Sequence, residues 1–286
     1  MSAHRTDAEA TIEREMRVTY GDAPKTLRDE PLAEMSWQML GDSFLLRGEG
    51  HHYFHYRKGE GITVDRGPDA DLSEESLWLD GSVYAAVASI NGLLPIHASA
   101  VAHNGSVFAF TGPAGAGKST LVAALGKLGL PMFCDDTLVL DLSDPARIVC
   151  LPGHKRLKLR PDAVNLTGTT PLEAVSKTVD KVYASPSGGD VSDPLPLGEL
   201  VFLEEGDQAV IEPIIGAERF VRTEDDHQNA WLFAGARRFD PLAQFAHRAR
   251  LAQQIRMARF SRPMDPSRFQ GGVALAAKYV RNGAQQ

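Results

Sequence analysis

The feature that most constrains this sequence is the segment 112–119, in which glycine, lysine and serine follow the spacing G-x-x-x-x-G-K-S. An apolar β-type segment, residues 106–111, precedes it, and apolar residues at helical spacing follow it over residues 117–128. A glycine-rich turn between a strand and a helix lets backbone N–H groups surround phosphate oxygens at the positive end of the helix. The pattern therefore predicts an α/β fold with a P-loop that binds the phosphates of a nucleoside triphosphate.

The P-loop pattern also predicts what its side chains do. Lys118 can reach the β- and γ-phosphates, and the Ser119 hydroxyl can ligate Mg²⁺. We therefore expect ATP and Mg²⁺ as cofactors, although the pattern alone leaves GTP open. The predicted nucleotide-binding residues are Gly112, Pro113, Ala114, Gly115, Ala116, Gly117, Lys118, Ser119 and Thr120.

Two adjacent carboxylates, Asp135 and Asp136, follow the next predicted strand. The end of that strand should lie beside the P-loop. Successive strand residues point in opposite directions, so the two side chains need not have the same role. One could accept a proton from an acceptor hydroxyl and the other could hold Mg²⁺. The alternative interpretation is a solvated pair that caps a turn.

A histidine, His97, lies in an apolar run that precedes the P-loop strand. The two runs are separated by Asn104-Gly105, which is a strong hairpin signal. A lone histidine in an apolar run is commonly a core residue with its hydrogen bonds satisfied. The pattern alone therefore leaves both a structural and a site role for His97 open.

Residues 97–136 resemble the core of the HPr kinase/phosphorylase family, in which a histidine precedes the P-loop and paired aspartates follow its lysine. The resemblance implies an ATP-dependent serine kinase whose α/β core is related to the HPr kinase C-terminal domain and to phosphoenolpyruvate carboxykinase. It also implies that Asp135 is the catalytic base and that His97 sits beside it. We assign Asp136, together with Ser119, to the metal.

The chain departs from that family at Ala114 and Thr120, where the family usually has serine and glutamate. The family's Glu-x-Arg-Gly signature and its C-terminal segment are not recognisable. The chain is more similar to the shorter HPr-kinase-like proteins, including the lasso peptide precursor kinases. This similarity implies a peptide or protein substrate that bears a serine, with the C-terminal end of a lasso peptide precursor as the candidate.

Three cations, Arg156, Lys158 and Arg160, alternate with Leu157 and Leu159. On a strand this alternation puts the cations on one face and the leucines in the core. Guanidinium and ammonium groups in such a row can bind a triphosphate or an acidic acceptor, which makes these cations candidate substrate ligands. A solvated strand face explains the pattern equally well.

The coarse organisation of the chain predicts three parts. Residues 1–40 form a polar segment, residues 41–92 a small β-rich part with a helix, and residues 93–286 the P-loop kinase core. Within the core, residues 167–196 are rich in Thr, Ser, Gly, Pro and Asp and predict a long excursion. From residue 219 onward the spacing of the apolar residues predicts a mostly helical chain.

Charge and composition exclude several classes of function. The net charge of −7 argues against a protein built to bind nucleic acid. The sequence has no apolar run long enough to span a membrane and begins with a polar segment, so we expect a cytoplasmic protein without a membrane partner. Its two cysteines, Cys134 and Cys150, are expected to be buried thiols. The sequence does not determine the oligomeric state and is compatible with a homo-oligomer.

Two hypotheses of different classes follow from the P-loop. The first is a kinase that transfers the γ-phosphoryl of ATP to a hydroxyl, with a small metabolite as the alternative to a serine. The second is a nucleotide-dependent switch or ATPase. A hydrolase is expected to position water with a Gln, a Glu or an arginine finger, whereas the tandem Asp135 and Asp136 suit activation of a hydroxyl.

Overall fold

The computed structural model describes residues 6–153, 155–177, 179–189, 191–224 and 241–283. Helices lie at Asp7–Glu15 (α1), Glu75–Trp78 (α2), Tyr84–Ile90 (α3), Lys118–Lys127 (α4), Pro161–Thr167 (α5), Glu218–Arg222 (α6), Pro241–Gln254 (α7) and Phe269–Gly283 (α8). Strands lie at Val18–Tyr20 (β1), Ser36–Leu40 (β2), Ser43–Arg47 (β3), Tyr53–Arg57 (β4), Gly61–Asp65 (β5), Leu94–Ile96 (β6), Ala98–His103 (β7), Ser106–Thr111 (β8), Met132–Cys134 (β9), Leu138–Asp141 (β10), Val149–Leu151 (β11), Leu157–Leu159 (β12), Pro171–Ala174 (β13), Val182–Ala184 (β14), Leu195–Glu205 (β15), Val210–Pro213 (β16) and Arg256–Arg262 (β17). The predicted mixed α/β class is confirmed.

The main sheet has the order β6-β10-β11-β15-β8-β7-β9, with β17 on β15 and β16 on β17. Its centre consists of three mutually parallel strands, because β15 pairs in parallel with both β8 and β17. The carboxyl ends of parallel strands meet at one edge of a sheet, and in open α/β sheets that edge is where ligands bind.

Both faces of the main sheet are covered, as a sheet with parallel central strands requires. Alternation along β7 sends Ala100 to one face and Val101 to the other. The first face packs against α7 through Leu251, and the second packs against α4 and α8 through Leu125 and Ala276. Leu125 is fully buried, and its burial contributes about 1.5–3 kcal/mol to the free energy of unfolding.

A second sheet, of order β1-β5-β4-β3-β2, lies in the N-terminal part. Its buried face, which includes Phe54 and Tyr56, packs on α3 and reaches Val139 of the main sheet. The β2–β3 hairpin crosses the boundary that we predicted after residue 40, because Gly41 supplies the left-handed backbone that a tight turn requires. Residues up to 40 therefore supply strands of this sheet, whereas the predicted division near residue 93 stays a prediction.

Two segments differ from the sequence-based expectation. Residues 167–196 contain β13 and β14, which form a small sheet with β12 instead of an irregular excursion. The chain after residue 219, which its spacing suggested to be mostly helical, contains β17 in the interior of the main sheet. No helix among the described residues is both long and apolar enough to cross a membrane.

Candidate active site

The candidate site lies at the edge of the main sheet where β8 and β9 end and β7 begins. Strand β7 is antiparallel to both neighbours. Ala98 pairs with Thr111 at the end of β8, and Ala100, two residues further along β7, pairs with Cys134 at the end of β9. The residues just outside these strands, His97 and Asp135, therefore meet beside the segment that follows Thr111. This pairing is why residues far apart in the sequence converge.

The glycines of the P-loop occupy backbone conformations that other residues avoid. Gly112, Gly115 and Gly117 have φ values of 147°, 84° and 78°. A Cβ at Gly112 would lie 2.8 Å from the carbonyl oxygen of Leu203 on β15. Helix α4 begins directly after Gly117, so its unpaired N-terminal N–H groups and its positive dipole end face the loop.

Lys118 is the first residue of α4, and its side chain curls back over the P-loop. Its Nζ donates hydrogen bonds to the carbonyl oxygens of Gly112, at 2.9 Å, and Pro113, at 3.2 Å. The side chain is buried, with 7% exposed. A buried ammonium group held at the mouth of the loop suits an anion bound within the loop.

The carboxylate of Asp135 links three elements of the site. Its Oδ1 accepts hydrogen bonds from Ser99 Oγ on β7, at 2.6 Å, and from Ser119 Oγ on α4, at 2.7 Å. Its Oδ2 accepts the backbone N–H of Lys158 on β12, at 3.0 Å. Asp135 is 4% exposed. Both of its oxygens are held by protein donors, and Oδ1 faces the first turn of α4 through Ser119.

The neighbouring carboxylate, Asp136, points into a cavity instead. Its backbone has a φ of 73°, in the left-handed region, which turns the chain at the end of β9. Its Oδ2 accepts a hydrogen bond from Lys158 Nζ at 2.9 Å. Burial alone would raise the pKa of Asp136, but the Lys158 ammonium and His97 hold that pKa below its usual value. Asp136 is therefore ionised at neutral pH.

His97 is buried beside this turn. Its Nδ1 lies 2.8 Å from the carbonyl oxygen of Asp136 and 3.5 Å from Oδ1 of the same residue. A carbonyl only accepts, so Nδ1 carries the proton of the neutral ring. Burial and the nearby Lys118 ammonium lower the pKa of His97 to about 4. His97 is therefore neutral at physiological pH and fixes the backbone that presents Asp136.

These groups open on a cavity of about 560 Å³, within the roughly 300–1,000 Å³ range of small-ligand sites. Its lining residues are His97, Ala114, Gly115, Gly117, Lys118, Ser119, Thr120, Asp136, Lys158, Leu159, Arg160, Asp162, Ala163, Leu166, Lys181, Arg262, Pro263, Met264, Asp265, Pro266 and Phe269. Five of them are cationic, namely Lys118, Lys158, Arg160, Lys181 and Arg262, against three aspartates. The excess of cations favours a polyanionic ligand.

The three predicted cations of β12 and its flanks have different positions. Lys158 and Arg160 line the cavity. Arg156 is not among the described lining residues; its guanidinium lies 3.7 Å from the ring centre of Tyr183 and pairs with Glu173. Lys158 is buried with its ammonium on Asp136, so the hypothesis of a solvated strand face does not hold for it.

Arg262 is a site residue that the sequence analysis missed. It is the last residue of β17, is 7% exposed and donates from Nη2 to the carbonyl oxygen of Ala116 in the P-loop. Its buried Nε has no hydrogen-bond partner among the described residues. Pro263 was the one sequence signal for this position. A residue that precedes a proline favours an extended backbone, so Pro263 indicates that no helix continues through Arg262.

The chain was also compared with known proteins. No protein-family model matches the sequence, and no curated protein matches it. Among solved structures, one match is the HPr(Ser) kinase/phosphatase from Coxiella burnetii, with a TM-score of 0.35 and 16% sequence identity over 66% of this chain and 88% of that chain. Similarity at this level establishes neither a shared family nor a shared activity, so function has to be inferred from the site itself.

Proposed function

We propose that this chain is an ATP- and Mg²⁺-dependent kinase that transfers the γ-phosphoryl group to a serine hydroxyl of a peptide or protein. The observation that carries the proposal is that two adjacent carboxylates beside the P-loop have different contacts. Asp135 is bonded to Ser119 on the first turn of α4, whereas Asp136 faces the cavity. This difference supports a metal role for Asp135 and an acceptor role for Asp136.

The triphosphate is proposed to lie across the P-loop, at the N-terminus of α4. Backbone N–H groups at a helix start bind phosphate oxygens and share the positive end of the dipole. The Lys118 ammonium would exchange its bonds to Gly112 and Pro113 for phosphate oxygens. The Nε of Arg262, buried beside the loop, supplies a further donor.

The donor set near Ser119 fits Mg²⁺. The Ser119 hydroxyl and Asp135 Oδ1, 2.7 Å apart, are hard oxygen ligands at the same place. No group of three His, Cys, Asp or Glu side chains that could hold a metal occurs among the described residues. Mg²⁺ commonly binds one or two protein oxygens plus substrate phosphates, and neutralises charge on the phosphates when bound. The sequence assigned Asp136 to the metal, whereas these contacts favour Asp135.

The same contacts favour Asp136 as the base. The attacking serine oxygen forms a bond to the γ-phosphorus, the bond from that phosphorus to the β–γ bridging oxygen breaks, and the serine proton passes to the Asp136 carboxylate. Lys158 keeps that carboxylate ionised before the reaction, and neutral His97 holds its backbone through the Asp136 carbonyl oxygen. The products are ADP and a phosphoserine.

The acceptor we propose is a peptide that presents its serine close to a carboxylate, as the C-terminal end of a lasso peptide precursor would. Arg160 and Lys181 line the same cavity as Asp136 and are available to pair with such a carboxylate. This choice of acceptor rests on the resemblance of residues 97–136 to the HPr kinase-like proteins, which include the lasso peptide precursor kinases, and on these two cations.

The test is incubation of the protein with γ-labelled ATP and Mg²⁺ together with panels of serine-bearing peptides and hydroxyl metabolites. We expect a mass gain of one phosphate on a peptide serine, lost in Asp136→Asn and kept in Asp144→Asn, a surface aspartate that caps a turn. Phosphate release without any labelled acceptor would instead indicate an ATPase or switch. Label on a metabolite alone would keep the kinase and overturn the peptide acceptor.

A further inference from the structure

The cavity has an apolar part that phosphate binding and proton transfer do not use. Its apolar lining residues include Leu159, Ala163, Leu166, Pro263, Met264 and Phe269. They come from two segments, the end of β12 with α5 and the chain from the end of β17 into α8. Helix α4 packs against both α5 and α8. Both apolar walls therefore lie beside α4, whose Ser119 and Thr120 line the same cavity.

The position of this apolar cleft relative to the phosphate-binding groups is fixed by the sheet. The strand order β9-β7-β8-β15-β17 places the ends of β9 and β17 on opposite sides of the P-loop, each about 10 Å from it. Asp136 follows β9, and Met264 follows β17. Thr120, in the first turn of α4, also lines the cavity. A ligand that reaches from the P-loop past Thr120 can therefore enter the cleft.

We propose that this apolar cleft holds the base of the bound nucleotide, and that it does so without distinguishing adenine from guanine. The inference rests on the proposed function, since a triphosphate in the P-loop is what brings a base to this place. A flat, largely apolar ring suits a cleft whose walls are Leu166 and Ala163 on one side and Met264 and Pro263 on the other.

The lack of base selectivity follows from the polar groups around the cleft. Strong rejection of an analogue needs a buried polar group that the analogue leaves unpaired. Three polar residues that line the cavity beside the apolar walls, Arg160, Asp162 and Asp265, are exposed to solvent. Thr120 is half-buried, but its hydroxyl can both donate and accept a hydrogen bond and therefore rejects neither base. Moreover, Asp162 Oδ1 accepts the N–H of Ala163 and Asp265 Oδ1 accepts the N–H of Ser267. Water can replace any bond from these groups to a base edge.

Calorimetric titration of the whole chain with ATP, GTP and inorganic tripolyphosphate, each with Mg²⁺, tests this inference. We expect the dissociation constants of ATP and GTP to agree within about tenfold, and tripolyphosphate to bind at least about tenfold more weakly than ATP. Tripolyphosphate reports on the P-loop alone, because it has no base.

A variant of the cleft separates base binding from phosphate binding. Met264 is 47% exposed, so Met264→Asn should fold normally, weaken ATP binding about three- to tenfold and leave tripolyphosphate binding unchanged. Leu128→Asn is the matched control, because Leu128 is 43% exposed at the far end of α4 and outside the cavity. Leu166→Asn changes the other wall of the cleft and should also weaken ATP binding while leaving tripolyphosphate binding unchanged. Its thermal unfolding is measured to verify that this variant is folded.

The outcomes separate this inference from the proposed function. If tripolyphosphate binds as tightly as ATP, or Met264→Asn and Leu166→Asn both leave ATP binding unchanged, the base is not in the cleft while the phosphate site stands. If GTP binds more than a hundredfold more weakly than ATP, the base is recognised by its edge and the proposed lack of selectivity is wrong. If none of the three ligands binds, the proposed function itself fails.

Discussion

The hydroxyl of Ser119 and the carboxylate of Asp135 are joined by a 2.7 Å hydrogen bond that ties the first turn of α4 to the end of β9. A divalent cation held by both oxygens would take the place of this hydrogen bond. The same carboxylate is fixed by Ser99 and by the backbone N–H of Lys158. These contacts support the proposed metal role of Asp135 and the proposed acceptor role of its cavity-facing neighbour, Asp136.

Asp136→Asn is expected to slow phosphoryl transfer by about two to four orders of magnitude, the usual range for loss of a general base. Binding of ATP should change little, because Asp136 lies beside the P-loop and not in it. The measurement is single-turnover transfer from labelled ATP together with a calorimetric dissociation constant. A near wild-type rate would show that the cavity-facing carboxylate is not the base.

Asp135→Asn is expected to raise the Mg²⁺ concentration needed for half-maximal activity, because the amide is a poorer ligand than the carboxylate. A large excess of Mg²⁺ should restore part of the rate. The measurement is a Mg²⁺ titration of the transfer rate, run in parallel with Asp136→Asn. If excess Mg²⁺ rescues Asp136→Asn and not Asp135→Asn, the two roles are the reverse of those proposed.

Arg262→Met is expected to weaken nucleotide binding about tenfold or more, because a charge-assisted hydrogen bond to the loop carbonyl of Ala116 is lost. The free energy of unfolding should fall by no more than about 1–3 kcal/mol, the cost of leaving the carbonyl oxygen of Ala116 without this donor. The control is Arg256→Met at the exposed start of the same strand. Equal loss of affinity in both variants would contradict a specific role for Arg262.

The buried neutral His97 predicts a loss of stability in mild acid. Burial and Lys118 lower its pKa to about 4, from 6.5 for the free side chain, while the nearby Asp136 and Asp135 carboxylates only partly oppose this shift. As the pH falls from 6.5 toward 4, the unfolded chain binds a proton at this histidine that the folded chain does not. The free energy of unfolding should therefore fall by about 2 kcal/mol from pH 7 to pH 5 on account of His97.

Urea unfolding of wild type and His97→Gln at the two pH values measures this contribution. The glutamine amide can still donate to the Asp136 carbonyl oxygen but does not titrate. The pKa values of His52 and His55 are also lowered by burial, and both histidines remain in the variant, so the difference between the two proteins isolates His97. Identical pH dependences would mean that His97 titrates normally in the folded chain.

The sequence predicted those parts of the site that depend on local pattern. The P-loop, Lys118 and Ser119 follow from one spacing, and the position of Asp135 follows from the strand next to it. The different contacts of Asp135 and Asp136 could not be predicted. They depend on the left-handed turn at Asp136 and on donors from β7 and β12, which strand pairing alone brings together.

Arg262 shows where local pattern gives no information about the site. The run of seven residues that forms β17 has arginines at both ends and in its middle, and this polarity hides a strand with Met257 and Phe260 in the core. Its place beside the P-loop depends on parallel pairing with β15, whose partners are far away in the sequence. A single sequence without its relatives does not specify that pairing.

The pairing of β15 with β8 on one side and β17 on the other also affects the order in which the site can be completed during synthesis. A ribosome makes the P-loop before residue 262, whose side chain holds the carbonyl oxygen of Ala116. Until β17 joins the sheet, β15 has an open edge and the P-loop lacks its arginine. Nascent chains should therefore acquire tight nucleotide binding only after β17 has paired with β15, so that a bound nucleotide would mark chains in which this strand has already joined the sheet.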